Sequence, residues 1–301
     1  MKFRKYSSAN AAFICFLVFV LMLCGCNAAP LADNGSHKTA KRAGDEKMSS
    51  GYTVKELTFA RDGKKVYGKL YMPDTAPPFA TVILTHGFGA NLHMVEGYSK
   101  ALAESGYAAY AFDFIGGGNN IESDGKTTEM SVLTEAEDLN AVIDGIRASE
   151  FADPDNIILL GASMGGFVAT YTAAKRQDIK ALIALYPAYV LQDDSRRRTD
   201  DGKNIQDRFN TMGVELGRIF DEDALSFDIY EVMAAYGGRT LIIHGTADSV
   251  VPVSYSEKAA EVLPDASLVK IEGADHVFFG KDDEFATELI LDFMKEVVDG
   301  K

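Results

Sequence analysis

The stretch that most constrains this chain is Asn156 to Gln177, NIILLGASMGGFVATYTAAKRQ, where an apolar run leads into Gly161-Ala162-Ser163-Met164-Gly165 and then into a helical pattern. Strand, tight turn and helix in that order leave no room for side chains on either side of the serine, so glycine is needed at both flanks and the serine is lifted clear. Five letters of this kind arise by chance. It is the strand before and the helix after that make them a nucleophile elbow. The helix leaving the turn starts with N–H groups that have no partner inside it. The N–H of Met164 can therefore face the anion that forms when Ser163 attacks a carbonyl.

Around this stretch, strand-like and helix-like segments alternate. Tyr52 to Ala60 and Lys65 to Met72 read as strands joined by Arg61-Asp62-Gly63-Lys64, whose Asp-Gly signals a hairpin. Ala80 to Thr85 is a short buried strand ending in the glycine-rich loop His86 to Asn91, followed by a helix to Ser105 and a strand from Tyr107 to Phe114. From Ser131 to Ser149, Leu133, Ala136, Leu139, Ile143 and Ile146 recur at three- and four-residue spacing, the period of a helix with one buried face. After the elbow helix comes the strand Ala181 to Tyr186. Alternation lapses between about 188 and 236, then resumes with strand Thr240 to His244, helix Ser254 to Leu263, strand Ser267 to Ile271 and a closing helix from about Asp283. Repeated strand–helix units predict an α/β fold with a mostly parallel twisted sheet and helices on both faces. The interruption reads as an inserted lid, since an irregular stretch of that length inside a compact domain usually serves function.

The first 25 residues stand apart. Lys2, Arg4 and Lys5 precede an unbroken apolar run, Ala11 to Leu23, that is short for a bilayer span, the pattern of an export signal. Its end, Leu23-Cys24-Gly25-Cys26, resembles a bacterial lipobox, which implies cleavage before Cys26, a lipid on Cys26 and attachment to a membrane of the bacterial cell envelope. All three cysteines of the chain lie at or before position 26, so the mature chain has no disulfide. Residues 26–51, rich in Ala, Ser, Lys, Asp and Gly, read as a flexible tether, and residues 52–301 as the folded domain. The formal charge of −14 and the absence of a basic stripe interleaved with aromatics argue against a nucleic-acid partner.

A serine nucleophile needs a base and an acid to orient it, and in this kind of fold both follow the serine, acid before histidine. His37, His86 and His93 precede Ser163, leaving His244 and His276. His244 ends a buried strand, where a histidine is more often structural. His276 lies in Glu272-Gly273-Ala274-Asp275-His276, past the last strand, where an imidazole can swing over the sheet edge. Asp248, just past the preceding strand, is the favoured acid; Asp193 and Asp194 are the alternatives, and Asp275 reads as a loop-structuring residue.

HGFGAN, GASMGG, HGTADSVVP and EGADHVF resemble the signature loops of the α/β-hydrolase superfamily. Within it, Asp113 to Glu137, Ile229 to Val232 and the segment from LIIHGTADSVVP through EGADHVF are similar to bacterial cinnamoyl or feruloyl esterases. The resemblance implies a triad of Ser163, Asp248 and His276, an oxyanion hole formed by the amides of Phe88 and Met164, and a small-molecule ester as substrate. Three positions depart from the pattern: Gly116 to Asn120 replace a Gly-His-Gly type of turn, Met164 stands where many relatives carry glutamine, and the lid diverges. Gly116-Gly117-Gly118 fits no phosphate-loop spacing and reads as a turn lining the pocket, so no cofactor is expected. No metal-ligand spacing occurs either. Arg196 to Arg198 read as a solvated face of the lid, with carboxylate binding as the alternative.

Overall fold

The computed structural model describes residues 51–300, so the export signal, the tether and Cys26 lie outside the described residues. The chain opens with the hairpin β1 (Tyr52–Arg61) and β2 (Lys64–Pro73). Its turn is Asp62-Gly63, with φ of 51° and 78°. Positive φ at both positions is what a two-residue turn needs to match strand twist, and the Asp-Gly pair meets it at little cost. Next come β3 (Phe79–Thr85), α1 (Glu96–Glu104), β4 (Ala108–Phe112), α2 (Val132–Arg147), β5 (Ala152–Ala162), α3 (Met164–Lys175) and β6 (Ala181–Leu185). The insertion follows, with α4 (Leu191–Thr199), β7 (Arg208–Thr211), β8 (Val214–Gly217), α5 (Ile219–Ala224) and α6 (Ile229–Met233). The chain closes with β9 (Arg239–Gly245), α7 (Ser254–Val262), β10 (Ala266–Ile271) and α8 (Lys281–Asp299).

Eight strands form one sheet in the order β1-β2-β4-β3-β5-β6-β9-β10, parallel from β4 to β10 with the opening hairpin antiparallel at one edge. Both faces are covered, and the strand sequences show it. Along β5, Ile157 and Leu159 pack with Leu139 and Ile143 of α2 and Phe167 of α3, whereas Ile158 and Leu160 pack with Leu102 of α1 and Ile290 and Met294 of α8. Side chains alternate between faces of a strand, so a strand buried on both sides reads as a continuous apolar run. The parallel arrangement brings the loops after β3, β5, β6, β9 and β10 to one edge of the sheet, and in such sheets ligands bind beyond that edge.

The insertion holds more regular structure than its sequence suggests: three short helices and a hairpin in place of an irregular stretch. Each element is too short for its periodicity to stand out from the charged residues around it. The insertion is also seated deeply. Leu216, Ala224, Ile229 and Met233 have no exposed surface and belong to the same apolar cluster as α2 and α3. Ser131, which caps α2, bonds to Asp223 of α5. Expected as a lid, the segment is thus built into one layer of the core. Leu216→Ala should therefore lower global stability by about 2–5 kcal/mol and shift a single urea unfolding transition. A separate early transition, with the main one unmoved, would mean that the insertion folds as an independent flap.

Candidate active site

Ser163 sits between β5 and α3 with φ 54° and ψ −119°, a backbone region that costs a non-glycine residue of order 1–3 kcal/mol. The surroundings hold it there. Its N–H donates to Leu185 O at 2.9 Å, and its carbonyl accepts from Gly166, Phe167 and Ala188 at 2.9, 3.2 and 2.9 Å. The flanking glycines are required by close approach. A side chain at Gly161 would collide with the Gly165 carbonyl, and one at Gly165 with the carbonyls of Thr85 and His86.

His276, on the loop after β10, places Nε2 3.0 Å from Ser163 Oγ and Nδ1 2.8 Å from Asp248 Oδ2. A carboxylate only accepts, so Nδ1 carries the ring proton and Nε2 is left to accept from the serine hydroxyl. Asp248 follows β9, the strand beside β10, and its other oxygen accepts the N–H groups of Val250 and Val251 at 2.9 and 2.8 Å. Burial pushes the Asp248 carboxyl upward, but the contacts from His244 and His276 and the Val251 N–H outweigh it and hold the group well below the usual carboxylate range. The three residues named from sequence thus meet in one bonded row. Asp193 and Asp194, on α4, do not join this row: Asp193 accepts from Tyr255 Oη at 2.7 Å and from Arg196, and Asp194, which borders the same cavity as Ser163, pairs with Arg197. Asp275 is the loop tie it was read as, accepting from Ser249 N, Ser249 Oγ and His276 N.

Phe88 and Met164 line the cavity that Ser163 and His276 open into. Met164 is the first residue of α3, so its N–H has no acceptor within the helix. The loop carrying Phe88 is set by His86, which is fully buried: Nδ1 donates to Gly87 O at 2.8 Å and Nε2 accepts from Phe114 N at 3.2 Å. Burial lowers the His86 pKa and keeps the ring neutral. The Gly116–Gly118 turn does not line the cavity as expected. Gly118 bridges to Gly89, and a side chain on Gly118 would collide with Ala90 O, so the turn supports the Phe88 loop from behind.

The cavity has a volume of about 260 Å³ and mostly apolar walls, among them Met94, Val190, Leu191, Met212, Phe220 and Val251. Four of the six come from the segment between β6 and β9, whose Phe209, Leu216 and Tyr230 do not reach the cavity. Phe209 packs edge-on behind Phe220, Leu216 is in the core, and Tyr230 donates its hydroxyl to Tyr255 O on the far side of α4. The arginine run splits. Arg196 and Arg197 pair with Asp193 and Asp194 near the surface, while Arg198 borders the cavity, pairs with the buried Asp221 and lies 4.4 Å over the Phe209 ring. Two further residues touch the site: Tyr186, which the sequence did not single out, and His244, weighed as a base and read as structural. Tyr186, after β6, sets its ring edge against His276 at 4.9 Å between centroids, and His244 reaches within 3.1 Å of Asp248. Among the described residues, no group of three or more His, Cys, Asp or Glu side chains is arranged to hold a metal ion.

A mostly parallel sheet with helices on both faces, a serine on a strained strand-to-helix turn and an acid and a histidine on the loops after its last two strands define a class, and the comparisons agree with it: the chain belongs to the α/β-hydrolase superfamily. Residues 76–216 match the Hydrolase_4 family, described as serine aminopeptidase, S33. The structure of Est1E from Butyrivibrio proteoclasticus with ferulic acid bound aligns with a TM-score of 0.74 and 28% identity, covering 81% of this chain and 99% of that one. The AB hydrolase superfamily protein YisY of Bacillus subtilis is 26% identical over 252 residues, 70% of this chain and 90% of that protein. A protein of Escherichia coli O157:H7, named uncharacterized protein YfhR, is 25% identical over 226 residues, 72% of this chain and 71% of its own length. By family and by structural likeness the chain is a hydrolase that resembles feruloyl esterases.

Proposed function

We propose that the protein is a serine esterase that cleaves carboxylic esters through an acyl-enzyme. The observation that carries this is the bonded row Ser163, His276, Asp248, with spacings of 3.0 and 2.8 Å, at the floor of an apolar cavity. Ser163 Oγ attacks the ester carbonyl as His276 Nε2 takes its proton, and Asp248 holds the ring in the required tautomer and faces the imidazolium that forms. The amides of Phe88 and Met164 stabilise the oxyanion. Its collapse expels the alcohol, which takes the proton from His276. Water, deprotonated by the same histidine, then attacks the acyl group and frees the acid.

The apolar walls favour an apolar acyl group, and the likeness to Est1E with ferulic acid bound supports a flat hydroxycinnamoyl group or a short acyl chain of comparable size. The insertion serves as the lid over this group. Met212 supports that role: it takes a φ of 50° in the β7–β8 turn, a conformation that costs a residue of its kind about 1–2 kcal/mol, and it keeps an apolar side chain 77% exposed at the cavity wall. An aminopeptidase is the second reading, favoured by the description of the matching family. The lipobox-like end of the apolar N-terminal run supports export and a membrane anchor on Cys26.

A fluorophosphonate probe should label the protein at a single position, and Ser163→Ala should abolish labelling and lower kcat for p-nitrophenyl esters by about a thousandfold or more. Persistent labelling would remove Ser163 from the mechanism. Faster turnover of amino-acid p-nitroanilides than of the matched p-nitrophenyl and hydroxycinnamate esters would select the peptidase. For the anchor, Cys26→Ser expressed in a bacterial host should release the protein from the membrane fraction or accumulate the uncut precursor. Wild-type protein that keeps residues 1–25 would contradict it.

A further inference from the structure

His244 ends β9, is fully buried, and has the sequence context of a structural histidine. Its contacts go further. Nε2 lies 2.9 Å from Val251 O and 3.1 Å from Asp248 Oδ2, and Nδ1 lies 2.7 Å from Ser256 Oγ on α7. Both neighbours of Nε2 are oxygen acceptors, so Nε2 carries the proton, and in the neutral ring Nδ1 accepts from the serine hydroxyl. Val251 in turn gives its N–H to Asp248 Oδ1 at 2.8 Å. One imidazole N–H therefore holds the carbonyl of the residue whose own N–H bonds one carboxylate oxygen, and it lies against the other oxygen, the one bonded to His276. The Asp248 side chain has no exposed surface, so solvent does not replace these contacts.

We propose that His244 is a positioning residue for the hydrolytic reaction, acting through Asp248 to set how readily His276 takes a proton. The inference rests on the reading of His276 as the base. A buried histidine kept only for packing needs a donor and an acceptor at its two nitrogens, and Ser256 and Val251 already supply these. The further approach to Asp248 Oδ2 has two effects. It fixes the rotation of the carboxylate so that Oδ2 faces His276. It also sets the positive end of an N–H dipole against the oxygen that His276 shares, which offsets part of the carboxylate charge facing the His276 ring. The other groups around the pair stay in place when His244 is changed. They are Asp275 on the His276 loop, the Tyr186 ring with Asp283 of α8 acting on its hydroxyl, and Lys270, opposite His244 on β10 and paired with Glu257 of α7.

A matched pair of substitutions isolates Nε2. His244→Gln places an amide N–H near the position of Nε2, whereas His244→Asn places one near Nδ1 and leaves Asp248 and Val251 without the donor. With p-nitrophenyl acetate as the probe, the acid limb of kcat/KM should move to higher pH in the asparagine variant by roughly half a unit, about threefold in rate on the limb. The glutamine variant should return close to wild type. An NMR titration of the His276 ring should show the same order without any substrate. Asparagine and glutamine variants that behave alike, both shifted or both unshifted, would overturn the proposal whatever their melting temperatures. If neither variant folds, Ser256→Ala, which frees the Nδ1 side of the ring, should shift the limb in the same direction by less, and no shift there would overturn it. The two readings fail separately: His276→Ala with a wild-type rate removes His276 as the base, while a normal wild-type limb that ignores His244 removes only the positioning role.

Discussion

Much of the site depends on one close approach of backbone to backbone. The first turn of α3 runs against the end of β3 so tightly that a Cβ on Gly165 would lie 2.6 Å from Thr85 O and collide with His86 O, and Thr85 Oγ1 bonds across to Gly165 O at 3.0 Å. Two loops from neighbouring strands are thereby locked together. One carries Ser163 and the other carries Phe88, and this approach brings both residues to one cavity. A comparable approach ties the loops after β9 and β10, where a side chain on Gly245 would collide with the Ala274 carbonyl. Asp248 and His276 follow those two contacts. The geometry of the row is thus a consequence of where glycine permits backbone to touch backbone.

The second constraint is electrostatic. A buried carboxylate is costly unless donors surround it, and Asp248, Asp113 and Asp221 each sit where donors converge. Asp248 accepts two backbone N–H groups and one histidine N–H, with a second histidine N–H at 3.1 Å. Asp113 does similar work beneath the Phe88 loop, accepting the N–H groups of Leu92 and Glu122 at 2.8 Å each and so joining the segments on either side of β4. Asp221 in the insertion is held by Arg198, whose guanidinium is sandwiched between that carboxylate and the Phe209 ring. These pairs give the cavity a fixed polar frame behind apolar walls. Met94, Leu191 and Phe220 form apolar wall of the cavity, and the charged Asp194 and Arg198 that border it are paired with Arg197 and Asp221.

What could be read from sequence divides along the range of the interactions. The alternation of strands and helices, the hairpin at Asp62-Gly63 and the elbow at Ser163 follow from local rules, each written in a few adjacent residues. His276 and Asp248 were legible because each lies just past a strand whose apolar pattern is clear. The insertion was not legible as regular structure, since its elements run four to nine residues and their burial comes from α2 and α3 rather than from their own periodicity. The roles of Gly118 and His244 were hidden for a related reason. Gly118 sits at a glycine turn that could equally line a pocket, and only its approach to Gly89 and Ala90 gives it a supporting role. His244 looks structural until the chain folds back through Val251 and brings its Nε2 to the acid.

The proposed reaction stands or falls on acyl transfer through Ser163. Rapid-quench mass spectrometry during turnover of a p-nitrophenyl ester, with peptide mapping of the trapped protein, tests it most directly. An acyl adduct should appear on the peptide containing Ser163, formed with the first burst of p-nitrophenol and lost as the acid product appears. Steady turnover with no adduct at any time, or an adduct that maps to another side chain, would contradict it.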